Sequence, residues 1–134
     1  MKRFQQRFSA LARDESGAEA VEFAIVSTAF CMFIIGIGYV GIMTYTNLAV
    51  HWAIEKGARL AAVNTSTTQT DVATAVNGYL NSMGVSSATV TYSVANGSFP
   101  VATISANLTQ SYTVPLFSNF SITYSANTKV PQGS

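Results

Sequence analysis

The chain has 134 residues, room for one small domain once a targeting segment is set aside. Seven basic and six acidic side chains give a net charge of +1, so no basic field exists to hold nucleic acid. Only 10% of residues are charged, against roughly 25% in an ordinary soluble domain, while 49% are hydrophobic and the mean hydropathy is +0.29, values that suit a membrane-anchored chain. The lone Cys31 excludes an internal disulfide and a cysteine-built zinc site, so the fold holds by packing.

The charges divide the chain into zones. Lys2, Arg3, Arg7, Arg13, Asp14, Glu15, Glu19 and Glu22 crowd the start, Glu55, Lys56 and Arg59 form a second group, and only Asp71 and Lys129 follow. From Phe23 to Ile54 no residue carries a formal charge. A bilayer core about 30 Å thick needs about 20 helical residues, which the apolar run from Phe23 to about Ile42 supplies. The expected transmembrane part is about 23–45, with Tyr39, Tyr45 and Trp52 towards its far side, where amphipathic rings prefer to lie. The four basic residues before the span predict a cytoplasmic N-terminus, a single pass and an exported head. The run is too long for an ordinary secretory signal, whose apolar core has about 7–15 residues. The segment is therefore either an uncleaved anchor or one processed on its cytoplasmic side.

Glu22 is attached to the first turn of this otherwise lipid-compatible helix. A carboxylate at bilayer depth costs about 2.5–3.5 kcal/mol on insertion scales, so something must answer it. Either Glu22 sits in the headgroup layer near the positive helix end, or it has a partner.

Past the span the same helix should continue into water, to about Val63. Glu55 and Arg59 stand at i, i+4 in the favourable order, worth about 0.3–0.5 kcal/mol, and Gly57, Ala58, Ala61 and Ala62 offer a smooth face for close packing. Residues 64–134 then read as an exported α+β head. Thr65 to Thr70 is a polar loop, and Asp71 or Thr70 caps a short helix whose apolar face is Val72, Val76, Leu80 and Met83, ending near Gly84. The period then changes to two. Val90, Tyr92 and Val94 alternate with Thr89, Thr91 and Ser93; Asn96-Gly97 signals a turn; Ile104, Ala106 and Leu108, then Phe120, Ile122, Tyr124 and Ala126, repeat the alternation. Three or four antiparallel strands are expected, crossed on one face by the exported half of the long helix, with Pro115 and Pro131 at breaks or strand ends. The Ser/Thr/Asn-rich surface suits either simple solvation or a face that packs against another protein or an external surface.

No enzyme active site is legible. A triad assembled from His51, Asp71 and a serine lacks any nucleophile motif. The head has no cluster of metal ligands, and Gly36, Gly38 and Gly41 lie inside the apolar run, where glycine permits close helix packing. No cofactor, metal or small-molecule substrate is expected, and Cys31 reads as a small apolar residue.

The sequence Gly17-Ala18, then Ala20-Val21-Glu22-Phe23-Ala24, a long apolar helix, and Ala53-Ile54-Glu55-Lys56-Gly57-Ala58-Arg59-Leu60-Ala61-Ala62 resembles the TadE-like pseudopilin family of tight-adherence (Tad, Flp) pili. The resemblance covers about residues 14–63. Relatives often carry a proline early in the span, where Thr28 and its neighbours stand here. It implies a minor pilin that takes part in pilus assembly and cell adhesion, in the inner membrane or built into an extracellular fibre. Its partners would be a prepilin peptidase, other pilins, the assembly platform and membrane lipid. The implied cut lies between Gly17 and Ala18, leaving residues 18–134 and exposing an amine one helical turn from Glu22, with Phe23 following. That amine, or the one on a neighbouring subunit, would neutralise the carboxylate. The rival expectation is a permanently anchored periplasmic binding domain, with residues 1–17 as an uncleaved cytoplasmic tail.

Overall fold

The computed structural model describes residues 15–95, 97, 99–114 and 118–132. The basic leader (Lys2, Arg3, Arg7, Arg13) with Asp14, and also Asn96 and Pro115, lie outside the described residues. Five elements follow in order: α1 (Glu15–Val63), α2 (Gln69–Ser82), β1 (Thr89–Ala95), β2 (Val101–Tyr112) and β3 (Phe120–Pro131). The α+β class is as expected, with three strands. The chain divides into two compact units, Met1–Gly41 and Ile42–Ser134.

In the first unit, α1 is apolar on every side. Val21, Phe23, Ile25, Val26, Phe30, Phe33, Ile37 and Val40 are all more than half exposed. A helix hydrophobic all round has no water-facing side, which is the pattern of a membrane span. Its hydroxyls are satisfied within the helix: Ser27 and Thr28 both donate to the Ala24 carbonyl, at 3.1 and 2.7 Å. Such back-bonding removes the penalty of a bare hydroxyl in hydrocarbon. The helix is long and apolar enough to cross a membrane.

The second unit holds the head. Here α1 buries one stripe only: Thr46, Ala49, Val50, Ala53, Ile54, Ala58 and Ala61, with Gly57 among them. Those positions recur at three- and four-residue steps and so form one face. Small side chains let α2 come close. A Cβ added to Gly57 would meet Val76 Cγ2 at 2.7 Å and Val72 Cγ1 at 3.3 Å, so the approach exists because position 57 has none. Ala62 is half-buried. The expected Glu55–Arg59 pair is not made: neither side chain has an ionic or hydrogen-bonding partner among the described residues. Lys56 lies instead with its Nζ 5.6 Å from the Tyr79 ring centroid, a cation–π contact that links α1 to α2.

The helix-to-helix turn is organised by Asn64, whose Oδ1 accepts from the Ser66 amide and hydroxyl while its carbonyl accepts from the Thr67 amide and hydroxyl. The cap of α2 is Thr68, not Thr70 or Asp71. Thr68 Oγ1 accepts from the Asp71 amide at 3.3 Å, and the Asp71 carboxylate accepts from the Thr68 amide at 2.9 Å, a capping box with Asp71 at its third helical position. The Thr68 hydroxyl also donates to Asp71 Oδ2 at 2.7 Å. These hydrogen bonds hold the Asp71 carboxyl below its ordinary value. At the far end Gly84 takes φ +71°, the Gly84 amide donates to Asn81 O, and the Val85 amide donates to Leu80 O. That is a Schellman ending, with Leu80 and Val85 both buried at its apolar contact.

The sheet has the order β1-β2-β3, antiparallel throughout. Ala95 pairs with Val101, so residues 96–100 make a five-residue connection. Even-numbered residues face the core: Val90, Ala102, Ile104, Ala106, Leu108, Tyr112, Tyr124 and Ala126 are buried. Asn77 Oδ1 accepts from the Ala88 amide and so fixes the entry to β1. At the open end of the core the Tyr112 and Tyr124 hydroxyls bond each other at 2.7 Å, and Tyr112 stacks on Phe120 at 5.5 Å. Burial, and the hydrogen bond between its hydroxyl and that of Tyr112, push the Tyr124 phenol up to about 12. Gln132 closes the other end, its Nε2 donating to Tyr92 Oη at 2.7 Å, while its amide donates to Pro100 O.

Candidate functional site

Gly17, Ala18, Glu22 and Phe23 occupy the first turns of α1. A Cβ at Gly17 would meet nothing within 4 Å, so local packing places no demand on this glycine. Ala18, Glu19, Glu22 and Phe23 are exposed, and Phe23 is 73% accessible. Glu22 has no hydrogen bond or ion pair among the described residues. The arrangement is a carboxylate without a partner among the described residues, about two turns into a helix whose next 20 or so residues are suited to lipid.

One detail differs from the extended backbone a peptidase would need at Gly17. The Gly17–Ala18 bond lies within helical backbone, because α1 begins at Glu15. The first helical turn lacks partners for its own amides, so opening it breaks few hydrogen bonds. Ala18 and Glu22 stand at i, i+4, the spacing at which side groups on a helix meet.

The residues offered for other chemistry are separated. Asp71 is committed to the capping box and cannot orient His51. Among the described residues no group of three or more His, Cys, Asp or Glu comes together. Tyr45, expected near a headgroup layer, donates its hydroxyl to the Met83 carbonyl at 2.9 Å and is tied to the head by it. Trp52 is 67% exposed and lines an open cleft of about 310 Å³ with Glu55, Lys56 and Arg59.

A second cleft, about 430 Å³, was not legible in the sequence. It is lined by His51, Ser105, Asn107, Ser125, Ala126 and Asn127. Alternation shows that the Ser and Asn positions share one sheet face. Only the β2–β3 register, which pairs Ser105 with Asn127 and Asn107 with Ser125, brings them together.

The chain contains a long apolar helix that fits a single-pass membrane anchor by length and composition, and an α+β unit. Residues 17–59 match the family model TadE, described as TadE-like protein. The match runs from the glycine of the first motif to the arginine of the second, and this is the family the sequence motifs resemble. No curated protein and no solved structure matches the chain.

Proposed function

We propose that this chain is a minor pilin or pseudopilin that takes part in assembling a Tad-type bacterial pilus. The observation that carries the reading is Glu22: exposed, without a partner, and set at the head of an all-round apolar helix inside the segment that matches the TadE-like family. A prepilin peptidase cuts between Gly17 and Ala18 after the first turn opens. The new Ala18 amine, with a reference pKa of about 7.7–8.0, is mostly cationic at neutral pH and answers the Glu22 carboxylate, in the same chain or in a neighbouring pilin. Loss of the basic leader also removes the positive cytoplasmic anchor, which eases withdrawal from the bilayer into an assembly. The head is exported, and the assembly platform and other pilins are the partners.

Intact mass of the protein taken from its native membrane tests the cut. The expected product is residues 18–134; full-length protein in cells with an active peptidase overturns the cleavage. A bulky residue at Gly17 should leave the precursor uncut. Glu22→Leu should be cut normally yet fail to support pilus formation, and pili of normal number and length in that variant would remove the pairing role. The helical backbone across Gly17–Ala18 favours one rival reading, a permanently anchored periplasmic binding domain, which the same mass measurement separates.

A further inference from the structure

The 430 Å³ cleft on the head falls within the range of about 300–1,000 Å³ typical of small-molecule sites, yet its lining is polar where most such sites are apolar. Five of its side chains carry hydrogen-bonding groups: His51, Ser105, Asn107, Ser125 and Asn127. None of the five side chains makes a hydrogen bond or ion pair among the described residues. Other polar side chains of the sheet, such as Ser93 and Ser121, lack partners too, while Asn64, Asn77, Thr109 and Gln132 have them. What sets the five apart is that they line one concave site.

The register gives the cleft its pattern. Ser105 faces Asn127 and Asn107 faces Ser125, so the two amides lie on one diagonal and the two hydroxyls on the other. Direct cross-strand neighbours are about 4.5–5.5 Å apart at Cβ and diagonal ones about 7–8 Å. Ala106 pairs with Ala126 between them, and the latter forms part of the lining.

We propose that this cleft binds an uncharged saccharide. Each amide and hydroxyl both donates and accepts, as each sugar hydroxyl does, whereas an anion needs donors alone and a cation acceptors alone. Charge is nearly lacking here: Lys129 is the one charged residue in the three strands, two positions beyond Asn127. A peptide is less suited, because extended peptides take their affinity from a strand's edge and from apolar side-chain pockets, and this cleft is formed from side chains on a face. The proposal does not depend on the pilus reading and fails or stands separately from it.

The test is titration of the full chain, in lipid nanodiscs free of sugar-headed detergent, with neutral tetrasaccharides of glucose, mannose, galactose and N-acetylglucosamine, read by amide shifts in NMR. The expected result is saturable shifts at His51, Asn107 and Asn127 with a dissociation constant on the order of 1 mM for at least one of them. The double variant Asn107→Ala/Asn127→Ala should weaken that binding about tenfold, since each lost hydrogen bond is a factor of a few. Ser93→Ala, on the same sheet face but outside the cleft, should leave it unchanged. All three positions are exposed, so the head keeps its fold, which the unperturbed remaining spectrum checks. No binding to any of the four sugars at tens of millimolar overturns the proposal. So does binding that the double variant retains in full, or a sulfated oligosaccharide or an uncharged peptide that outcompetes the neutral sugars at these residues.

Discussion

Two stretches of the same helix differ in what they bury. Between Val21 and Val40 the large side chains Phe23, Ile25, Phe30, Phe33 and Ile37 project on all sides and stay more than half exposed. Between Thr46 and Ala61 one stripe of mostly small residues is buried, and Trp52 on the other side is left outside. Bulk all round suits a solvent of lipid tails, which makes no demand on shape. A stripe of Gly and Ala suits a packed protein core, where approach distance decides what fits. Charge separates the stretches as well as side-chain size does: none falls between Phe23 and Val40, whereas Glu55, Lys56 and Arg59 fall between Thr46 and Ala61.

The sharpest way to break this comparison is to make the same deletion in both stretches. Ile54→Ala, at a site 2% exposed, should cost the head about 2–5 kcal/mol in chemical denaturation followed by tyrosine signals, whereas Ile37→Ala should change it by less than about 0.5 kcal/mol. Equal effects would mean that the two stretches are not differently packed. The opposite change is next in size. Gly57→Ala places a methyl against Val76 and Val72 and should cost about 1–3 kcal/mol, while Gly36→Ala, with nothing within 4 Å of its added Cβ, should leave the head unaltered.

The smallest effect lies at the start of α2. Thr68→Ala removes the cap and should cost about 1 kcal/mol at neutral pH, measured by the denaturation midpoint. The capping box also makes stability depend on acid. Asp71 is held below its ordinary value of 3.8 when folded, so its contribution is fully present above that pH and is lost as the pH falls through the lower folded value. The native head should therefore lose stability in that acid window. In Thr68→Ala this part of the pH slope should shrink, because the hydroxyl bond to Asp71 goes while the backbone amide bond stays, and an unchanged slope would show that the Thr68 hydroxyl is not its source.

How much was legible follows element by element. The long helix, its continuation past the span and the α2 face of Val72, Val76 and Leu80 were readable because burial on a helix repeats at three and four residues. Strand positions were readable for the same reason at period two. The cap was placed two or three residues late: both Thr68 and Thr70 are capping types, and the choice between them came from Asp71 serving as the third helical residue rather than the cap. The Glu55–Arg59 pair was expected from spacing alone and is not made; Lys56 meets the Tyr79 ring instead. At the helix start, the motif named Gly17, Ala18, Glu22 and Phe23, and the structure adds that the Gly17–Ala18 bond lies in helical backbone.

Sequence by itself determined the long apolar helix, the position of Glu22 near its start, and the α+β class of the head, since each depends on local charge and periodicity that no distant contact can erase. Tertiary structure alone decided that Gly57 is a contact point, that Gln132 ties to Tyr92, and that His51 shares a cleft with Ser105, Asn107, Ser125 and Asn127. The physical reason is register. A one-residue shift between β2 and β3 would send every partner to the other face, and nothing within a single strand specifies which residue of the next one it will meet.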